Sequence, residues 1–203
     1  MMKIIPAFYM LVTSLCATLC CPEEDDNNYA FGFEEFVNND IIEINNSKKK
    51  YKVGDTIFVN VTIKNRQVNN LGDQIFLSDY SAGGESPSLF QYQLTLLKEN
   101  AFNTISQIPI LSEDIVIKEG SVESFGKDGI SQLIIQSSYN GESFSSTFGL
   151  ILKGPGNFYI ADAFRKDGTV ELSGRDFIDF SPNIRSVIIN ADAEGRFAFT
   201  VMP

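Results

Sequence analysis

Alternation of apolar and polar side chains is the strongest pattern in the chain, and it is clearest in TIFVNVTIK at residues 56–64. The apolar residues from Ile57 to Ile63 occupy every second position, so they would all point to one face of an extended strand. Such a strand is buried on one face and solvated on the other. No window of the sequence keeps a period of 3.6 residues, so the pattern predicts an all-β protein.

Similar β-patterned runs recur along the chain from about residue 38, and turn residues separate them. The predicted strands are 40–44, 56–64, 74–78, 89–97, 113–119, 131–138, 146–153, 157–164, 169–173, 176–180, 185–190 and 196–201. Many short strands at this regular spacing favour an antiparallel β-sandwich, either immunoglobulin-like or jelly-roll-like.

Three dipeptides that end in glycine predict tight hairpins. Asn140-Gly141 favours a type I′ turn, in which both central residues have positive φ. Asp167-Gly168 would join 157–164 to 169–173, and Glu194-Gly195 would join 185–190 to 196–201. We expect residues 166–203 to complete the main sandwich, with a small separate β appendage as the alternative.

Composition limits the chemistry that this sandwich can carry. The chain has 203 residues, 43% of them hydrophobic, which is enough for the core of a single domain. Its net charge of −10 argues against a nucleic-acid partner, which requires a basic surface. The sequence contains no His, which excludes histidine-based nucleophile systems and His-ligated metal sites. We therefore predict a protein that is not an enzyme and that uses no cofactor or metal.

The first twenty residues have the layout of an export signal. Lys3 is followed by an apolar segment from Ile4 to about Val12 and then by small residues. Pro6 and Thr13 interrupt the segment, and an acidic rather than a basic cluster follows it. It is therefore a poor candidate for a permanent membrane-spanning helix.

Two adjacent cysteines, Cys20 and Cys21, lie at the boundary between this segment and the acidic run PEEDDNN at 22–28. The boundary resembles the signal of bacterial lipoproteins, and the acidic run resembles the tether of envelope lipoproteins from Bacteroidetes. This resemblance implies lipidation at Cys21, with Cys20 as the alternative. The expected organisation is a signal peptide at 1–20, a flexible acidic tether at 21–37 and a sandwich domain at 38–203.

Two segments of the body resemble immunoglobulin-like domains of secreted bacterial proteins: YKVGDTIFVNVTI at 51–63 and LILKGPGNFYI at 150–160. With the signal, they make the chain similar to envelope lipoproteins of Flavobacteria and Bacteroides. The resemblance implies an exported outer-membrane lipoprotein, displayed on the cell surface and held to the membrane by its N-terminal lipid. Its role would be that of a non-catalytic binding or interaction module for a protein or glycan partner.

Several acidic and nucleophilic motifs are better explained as ordinary turns or surface residues than as catalytic or metal sites. The segment NADAEG at 190–195 matches the first half of a calcium loop, but Val201 stands where the bidentate carboxylate should be, so a turn is predicted. Asp176 and Asp179 would lie on opposite faces of a strand, as surface acids. Ser124 and Lys127 have the Ser-x-x-Lys spacing of penicillin-binding enzymes, but they lie in a glycine-rich turn.

A carbohydrate-active sandwich is the alternative function, either as a glycan-binding protein or as a carboxylate-dependent hydrolase. Sugars pack on exposed aromatic faces, and Tyr80, Tyr92 and Tyr139 are the candidates for that role. Each aromatic residue is otherwise expected to fill the core. A hydrolase would need two carboxylates about 5 to 10 Å apart in one cleft.

Overall fold

The computed structural model describes residues 32–44, 48–68, 72–81, 87–126 and 131–203, and these form sixteen β-strands. The strands are β1 (Gly32–Val37), β2 (Ile42–Ile44), β3 (Lys50–Lys52), β4 (Thr56–Lys64), β5 (Arg66–Val68), β6 (Gln74–Phe76), β7 (Leu89–Glu99), β8 (Ile105–Gln107), β9 (Ile115–Glu119), β10 (Ser121–Phe125), β11 (Gln132–Tyr139), β12 (Ser143–Ile151), β13 (Gly156–Asp162), β14 (Val170–Arg175), β15 (Phe180–Ser186) and β16 (Phe197–Met202). Two short 3-10 helices, Leu77–Tyr80 and Ser112–Asp114, are the helical elements of the described residues. The predicted all-β class is confirmed.

The strands form two layers that share one apolar core. One layer runs β2-β4-β12-β9, and the other runs β3-β16-β13-β7 and continues through β11 to β10. Phe90 of β7 meets Phe144 of β12 edge to face, with 5.2 Å between ring centroids. The sandwich is mostly antiparallel as predicted, but β1 with β15 and β3 with β16 are parallel pairs.

The pairing and chain order of six of these strands match strands B to G of an immunoglobulin-like sandwich, while β10 and β11 are inserted between the strands that match D and E. Strands β4, β12 and β9 correspond to B, E and D, while β7, β13 and β16 correspond to C, F and G. The additional strands β5 and β6 lie in the connection between B and C. The additional strands β14 and β15 lie in the connection between F and G. Both additions are therefore made at the same end of the sandwich, because C begins and F ends there.

Strand β4 has the predicted bounds and the predicted orientation. Its four alternating apolar side chains are fully buried: Ile57, Val59, Val61 and Ile63. The strand pairs along its whole length with β12, from Thr56 opposite Ile151 to Lys64 opposite Ser143. Period-two alternation therefore predicts a central strand of this layer.

The turn at Asn140 joins β11 to β12 as predicted, but it is not a type I′ turn. Gly141 alone has positive φ, at 103°. Asn140 contributes its side chain instead, because its Oδ1 accepts hydrogen bonds from the backbone N–H groups of Glu142 and Ser143 at 3.1 and 3.0 Å. An Asx-type turn thus replaces the second left-handed residue.

The two other predicted hairpins are wrong, although both glycines do lie in turns. Beyond Gly168 the chain enters β14, which pairs with β15 and β7 rather than with β13. Beyond Gly195 it enters β16, which pairs with β13 and β3 rather than with β15. Strands β14, β15 and β16 belong to the same 14-stranded sheet as β4 and β7.

The predicted strands at 176–180 and 185–190 are also misplaced. Asp176 and Asp179 have left-handed backbone conformations, with φ of 58° and 64°, which interrupt an extended strand. They therefore lie in a loop and not on the two faces of a strand. The strand β15 begins only at Phe180, and the chain leaves it at Ser186.

The predicted tether extends too far into the folded domain. Residues 32–37 form β1, which pairs in parallel with β15, and the compact unit begins at Gly32 rather than at residue 38. Phe36 is 1% exposed in the core, while Glu35 forms an ion pair with Arg185 at 2.7 Å. The acidic composition of this segment favours a tether in the sequence, although the segment forms the strand β1 and its glutamates lie outside the core.

Candidate functional site

The layer that contains β7 divides at the middle of that strand. On one edge of β7, residues 89–91 pair with β14 and residues 94–98 pair with β13. Residues 92 and 93 lie between these two partners, so β13 and β14 separate at this position. A cleft opens where two neighbouring strands of a sheet separate, and we call this one the fork basin.

The fork basin is a polar cavity of about 420 Å³ on the solvent face of the sheet. Its polar lining residues are Gln91, Gln93, Asp162, Arg165, Glu171, Ser173 and Arg175, and the exposed ring of Phe164 stands beside them. Alternation along β7 buries Phe90, Tyr92 and Leu94, and thereby turns Gln91 and Gln93 outward.

Asp162 organises the loop that closes one side of the basin. Its Oδ1 accepts hydrogen bonds from the backbone N–H groups of Phe164 and Arg165, at 2.7 and 2.6 Å. Burial raises the pKa of the Asp162 carboxyl, and these two hydrogen bonds together with the charge of Arg165 partly offset that rise. The aspartate therefore fixes the backbone of residues 163–165 at some cost of desolvation.

Arg165 and Glu171 form the ion pair at the centre of the basin. The guanidinium of Arg165 contacts Glu171 Oε2, and it lies 3.7 Å from Asp167 Oδ2. Glu171 Oε1 accepts a hydrogen bond from Asn183 Nδ2 at 2.5 Å. The Oδ1 atom of Asn183 is buried and has no partner among the described residues. Both oxygens of Glu171 are thus engaged by neighbouring side chains.

A second cavity, of about 330 Å³, adjoins the fork basin. The two share Asp162, Phe164 and Arg165, and the second continues over β7 and β13 to Glu194 and Arg196. We call the two cavities together the outer groove. Phe164 is 65% exposed and lies at their junction.

The two enlarged connections meet beside this groove. Ser81 and Phe177 form an isolated antiparallel bridge, and the backbone N–H of Ile178 donates to Tyr80 O at 2.8 Å. Ser88 also donates its hydroxyl hydrogen to the backbone oxygen of Asp176. The connection between β4 and β7 therefore supports the connection that carries β14 and β15.

An apolar cavity of about 340 Å³ lies elsewhere, where the core opens between the layers. Its apolar lining includes Leu96, Ile110, Leu152 and Phe158. Lys153 forms an ion pair with Asp114 at 2.5 Å across its rim. Two of its three charged lining residues, Lys153 and Asp114, pair with each other, so few polar groups are left to orient a ligand.

The predicted lipidation residue Cys21 and its alternative Cys20 lie outside the described residues, as does Lys127 of the Ser-x-x-Lys spacing. Ser124 lies in β10 and donates its hydroxyl hydrogen to Ile110 O at 2.6 Å. This hydroxyl has a structural partner in the neighbouring connection.

The segment 190–195 forms the turn that the sequence predicts. Asp192 Oδ1 accepts hydrogen bonds from the backbone N–H groups of Glu194 and Arg196, at 3.0 and 2.8 Å, and Oδ2 pairs with the Arg196 side chain at 3.0 Å. The residues that resemble a calcium loop therefore bind one another. Among the described residues, no group of three metal-binding side chains is close enough to hold an ion.

The three tyrosines proposed for sugar stacking do not lie together in the groove. Tyr92 is 1% exposed, and its hydroxyl lies 2.9 Å from that of Ser146 inside the core. Tyr139 is partly buried and donates to Gly141 O at 2.7 Å. Tyr80 is at the exposed end of a 3-10 helix. Tyr92 lines the groove only from its buried position, so the exposed aromatic ring there is that of Phe164, a residue that the sequence pattern places in a strand.

No family model matches the chain, and a comparison with curated proteins finds no match either. In the described residues there is no helix with the length and hydrophobicity needed to cross a bilayer.

Proposed function

We propose that the protein is an exported lipoprotein of the outer membrane, displayed on the cell surface, whose sandwich is a non-catalytic binding module. The N-terminal lipid on Cys21, or alternatively on Cys20, would tether it to the membrane. The observation that carries the binding role is the outer groove, in which amide, hydroxyl, carboxylate and guanidinium groups converge on one face.

The position of the groove supports this role. In variable immunoglobulin domains, the connections between B and C and between F and G form the ligand-binding end. The same two connections are enlarged here, and they contact each other beside the groove. This is an argument by analogy between folds, since one fold serves many functions.

A carboxylate-dependent hydrolase is the second candidate, and one observation favours it. Asp162 and Glu171 line the same basin, and burial raises the pKa of Asp162 as in many general acids. However, both oxygens of Glu171 are engaged, by Arg165 and by Asn183, so this residue is poorly placed to act as a base or nucleophile. We therefore prefer binding without catalysis.

Lipidation is tested by expressing the full chain in a Bacteroidetes host and measuring the intact mass of the mature protein. We expect a chain that begins at Cys21, carries acyl groups and partitions into detergent. Cys21→Ser should abolish acylation and processing, whereas Cys20→Ser should leave both intact. The reverse result would assign the lipid to Cys20, and an unacylated mature chain would overturn the proposed anchor.

A further inference from the structure

We infer that the outer groove binds an acidic oligosaccharide, which is a chain of sugars that carries carboxylate groups. The inference rests on the proposed binding function and names its ligand class. Two adjoining cavities of about 420 and 330 Å³ provide an elongated site. Both volumes are within the range of sites that bind small ligands.

The hydrogen-bonding groups of the groove match the surface of a sugar. Each sugar hydroxyl both donates and accepts a hydrogen bond, so its binding site needs both kinds of partner. Gln91 and Gln93 provide amides that do both, and Ser173 adds a hydroxyl. Ser173 stands directly opposite Gln91 across the β7–β14 pair, so their side chains are neighbours on one face.

Phe164 provides the apolar contact that sugar recognition also requires. The C–H groups on one face of a pyranose ring pack against an aromatic ring. Phe164 is 65% exposed, and its backbone N–H is held by Asp162 Oδ1 at 2.7 Å. Its position at the junction of the two cavities would let it contact a chain that extends into both.

The groove brings four cationic side chains together on a protein whose net charge is negative. The whole chain has a net charge of −10. The charged lining residues of the groove are the cations Arg165, Lys166, Arg175 and Arg196 and the anions Asp162, Glu171 and Glu194. Asp167 and Asp192 also pair with Arg165 and Arg196, so a negatively charged ligand would be attracted by the lining cations that have no such partner and not by an excess of positive charge.

Two of these cations are available to a ligand. Arg165 is held by Glu171, and Arg196 is held by Asp192 and Glu194. Arg175 and Lys166 are exposed, and neither makes an ion pair with any other described residue. Guanidinium groups bind carboxylates through two parallel hydrogen bonds, so Arg175 is the expected partner of a uronate carboxylate.

The groove is also held in place before a ligand arrives. Asp162 fixes the backbone beside Phe164, while Glu171 and Asp167 fix the side chain of Arg165. A site whose groups are already ordered loses less conformational entropy when it binds. Sugars gain little energy from apolar burial, so this pre-organisation favours measurable affinity.

The test uses the full lipoprotein in detergent and two immobilised probes, an α-1,4-linked galacturonic acid hexamer and the same hexamer with every carboxylate methyl-esterified. We expect the acidic hexamer to bind at least about tenfold more tightly than the ester. Phe164→Ala and Arg175→Gln should each weaken binding about tenfold. Added salt should reduce the difference between the two probes.

The control for Phe164→Ala is Phe102→Ala, which removes an 89% exposed ring from a turn that does not line the groove. The control for Arg175→Gln is Lys64→Gln, which removes an exposed cation of β4. Both should retain the wild-type affinity. Equal binding of the two probes, or binding of neither, would overturn the inference, and so would equal losses in the control variants. Release of new reducing ends would disprove the non-catalytic function but leave the ligand class intact.

Discussion

Gly195 packs directly against Gly168. A Cβ atom placed on Gly195 would lie 2.1 Å from the Cα of Gly168, which is too close for any side chain. Both glycines also have positive φ, of 73° and 81° respectively. Two turns that are distant in sequence thus meet backbone to backbone, and they fix the connection that carries β14 and β15.

We expect Gly195→Ala to lower the free energy of unfolding by about 3–5 kcal/mol, because it combines a left-handed backbone with a backbone overlap. Gly168→Ala should cost less, since its Cβ would lie 3.2 Å from the nearest atom, Gly195 N. Urea denaturation measures both. Gly141→Ala is the control, because it has positive φ but open space around it, and it should lose only about 1–2 kcal/mol. Equal losses of stability in Gly195→Ala and Gly141→Ala would show that the close approach to Gly168 adds nothing to the cost of the substitution.

These two glycines also show the limit of prediction from the sequence. The preference of Asp-Gly and Glu-Gly for turns is local, so the turns themselves were foreseeable. The pairing of the strands on either side of each turn is determined by contacts between residues that are distant in the sequence. A local sequence pattern does not indicate these contacts. Two hairpins were therefore predicted where the chain instead inserts β14 and β15.

Tyr92, Ser146 and Ser137 form a chain of hydroxyl groups inside the core. Tyr92 Oη and Ser146 Oγ are 2.9 Å apart, and Ser137 donates to Ser146 Oγ at 3.0 Å. Tyr92→Phe should cost about 1 kcal/mol, since it removes one hydrogen bond and leaves the other intact. Ser146→Ala should cost about 2–4 kcal/mol, because two buried hydroxyl groups then lose their partner.

Urea denaturation of the two single variants and the double variant measures the coupling energy between Tyr92 and Ser146. Ser138→Ala is the control, since Ser138 is exposed on β11 next to the buried Ser137, and it should be nearly neutral. Additive effects of the two substitutions would show that this hydrogen bond does not contribute to stability.

The Tyr92 hydroxyl should also give the protein a specific sensitivity to alkali. Burial raises the pKa of Tyr92 far above its usual value, and the hydrogen bond with Ser146 offsets this only in part. The unfolded chain loses this proton near pH 10, while the folded chain retains it. The stability associated with Tyr92 is thus complete below about pH 10 and falls above it by up to about 1.4 kcal/mol per pH unit.

The measurement is the free energy of unfolding between pH 9 and about pH 11.5, compared between the wild type and Tyr92→Phe. The difference between the two proteins isolates Tyr92 from other groups that titrate in this range. It should diminish as the pH rises, since only the wild type has this proton to lose. A difference that is constant across the range would argue against the buried neutral phenol.

Asp162 combines a structural hydrogen-bond acceptor with a charge that is partly buried. Because its folded pKa is raised, ionisation lowers stability as the pH rises through that value. Asp162→Asn keeps an oxygen for the N–H groups of Phe164 and Arg165 and removes the charge, so stability at pH 7 should be equal or higher. Asp162→Ala removes the acceptor as well, and should cost about 1–3 kcal/mol.

Urea denaturation of both variants at pH 7 and pH 4 separates the two effects. The advantage of Asn over the wild type should be larger at pH 7 than at pH 4, because the raised folded pKa means that ionisation of the aspartate costs stability as the pH rises. If Asn and Ala were equally damaging, the charge interaction of Asp162 with Arg165 would outweigh its hydrogen bonds.

The candidate groove could be predicted from the sequence only in part. Alternation along β7 places Gln91 and Gln93 on the solvent face, and this is visible in the sequence. Their approach to Glu171 and Arg175 depends on the pairing of β7 with β14, which no local signal indicated. Phe164 was assigned to a strand because it continues an apolar run, but Asp162 ends that strand by binding the following backbone N–H groups.

The strand β1 gives the most direct test of where the folded domain begins. Phe36 is 1% exposed and lies opposite Ile184 of β15, whereas its neighbour Val37 is 65% exposed. Phe36→Ala should therefore lower the free energy of unfolding by about 3–5 kcal/mol, since it leaves a large cavity in the core. Val37→Ala is the matched control and should change stability by less than about 0.5 kcal/mol. Urea denaturation of the two variants distinguishes a strand from a tether, because in a tether extending to residue 37 both substitutions would be neutral.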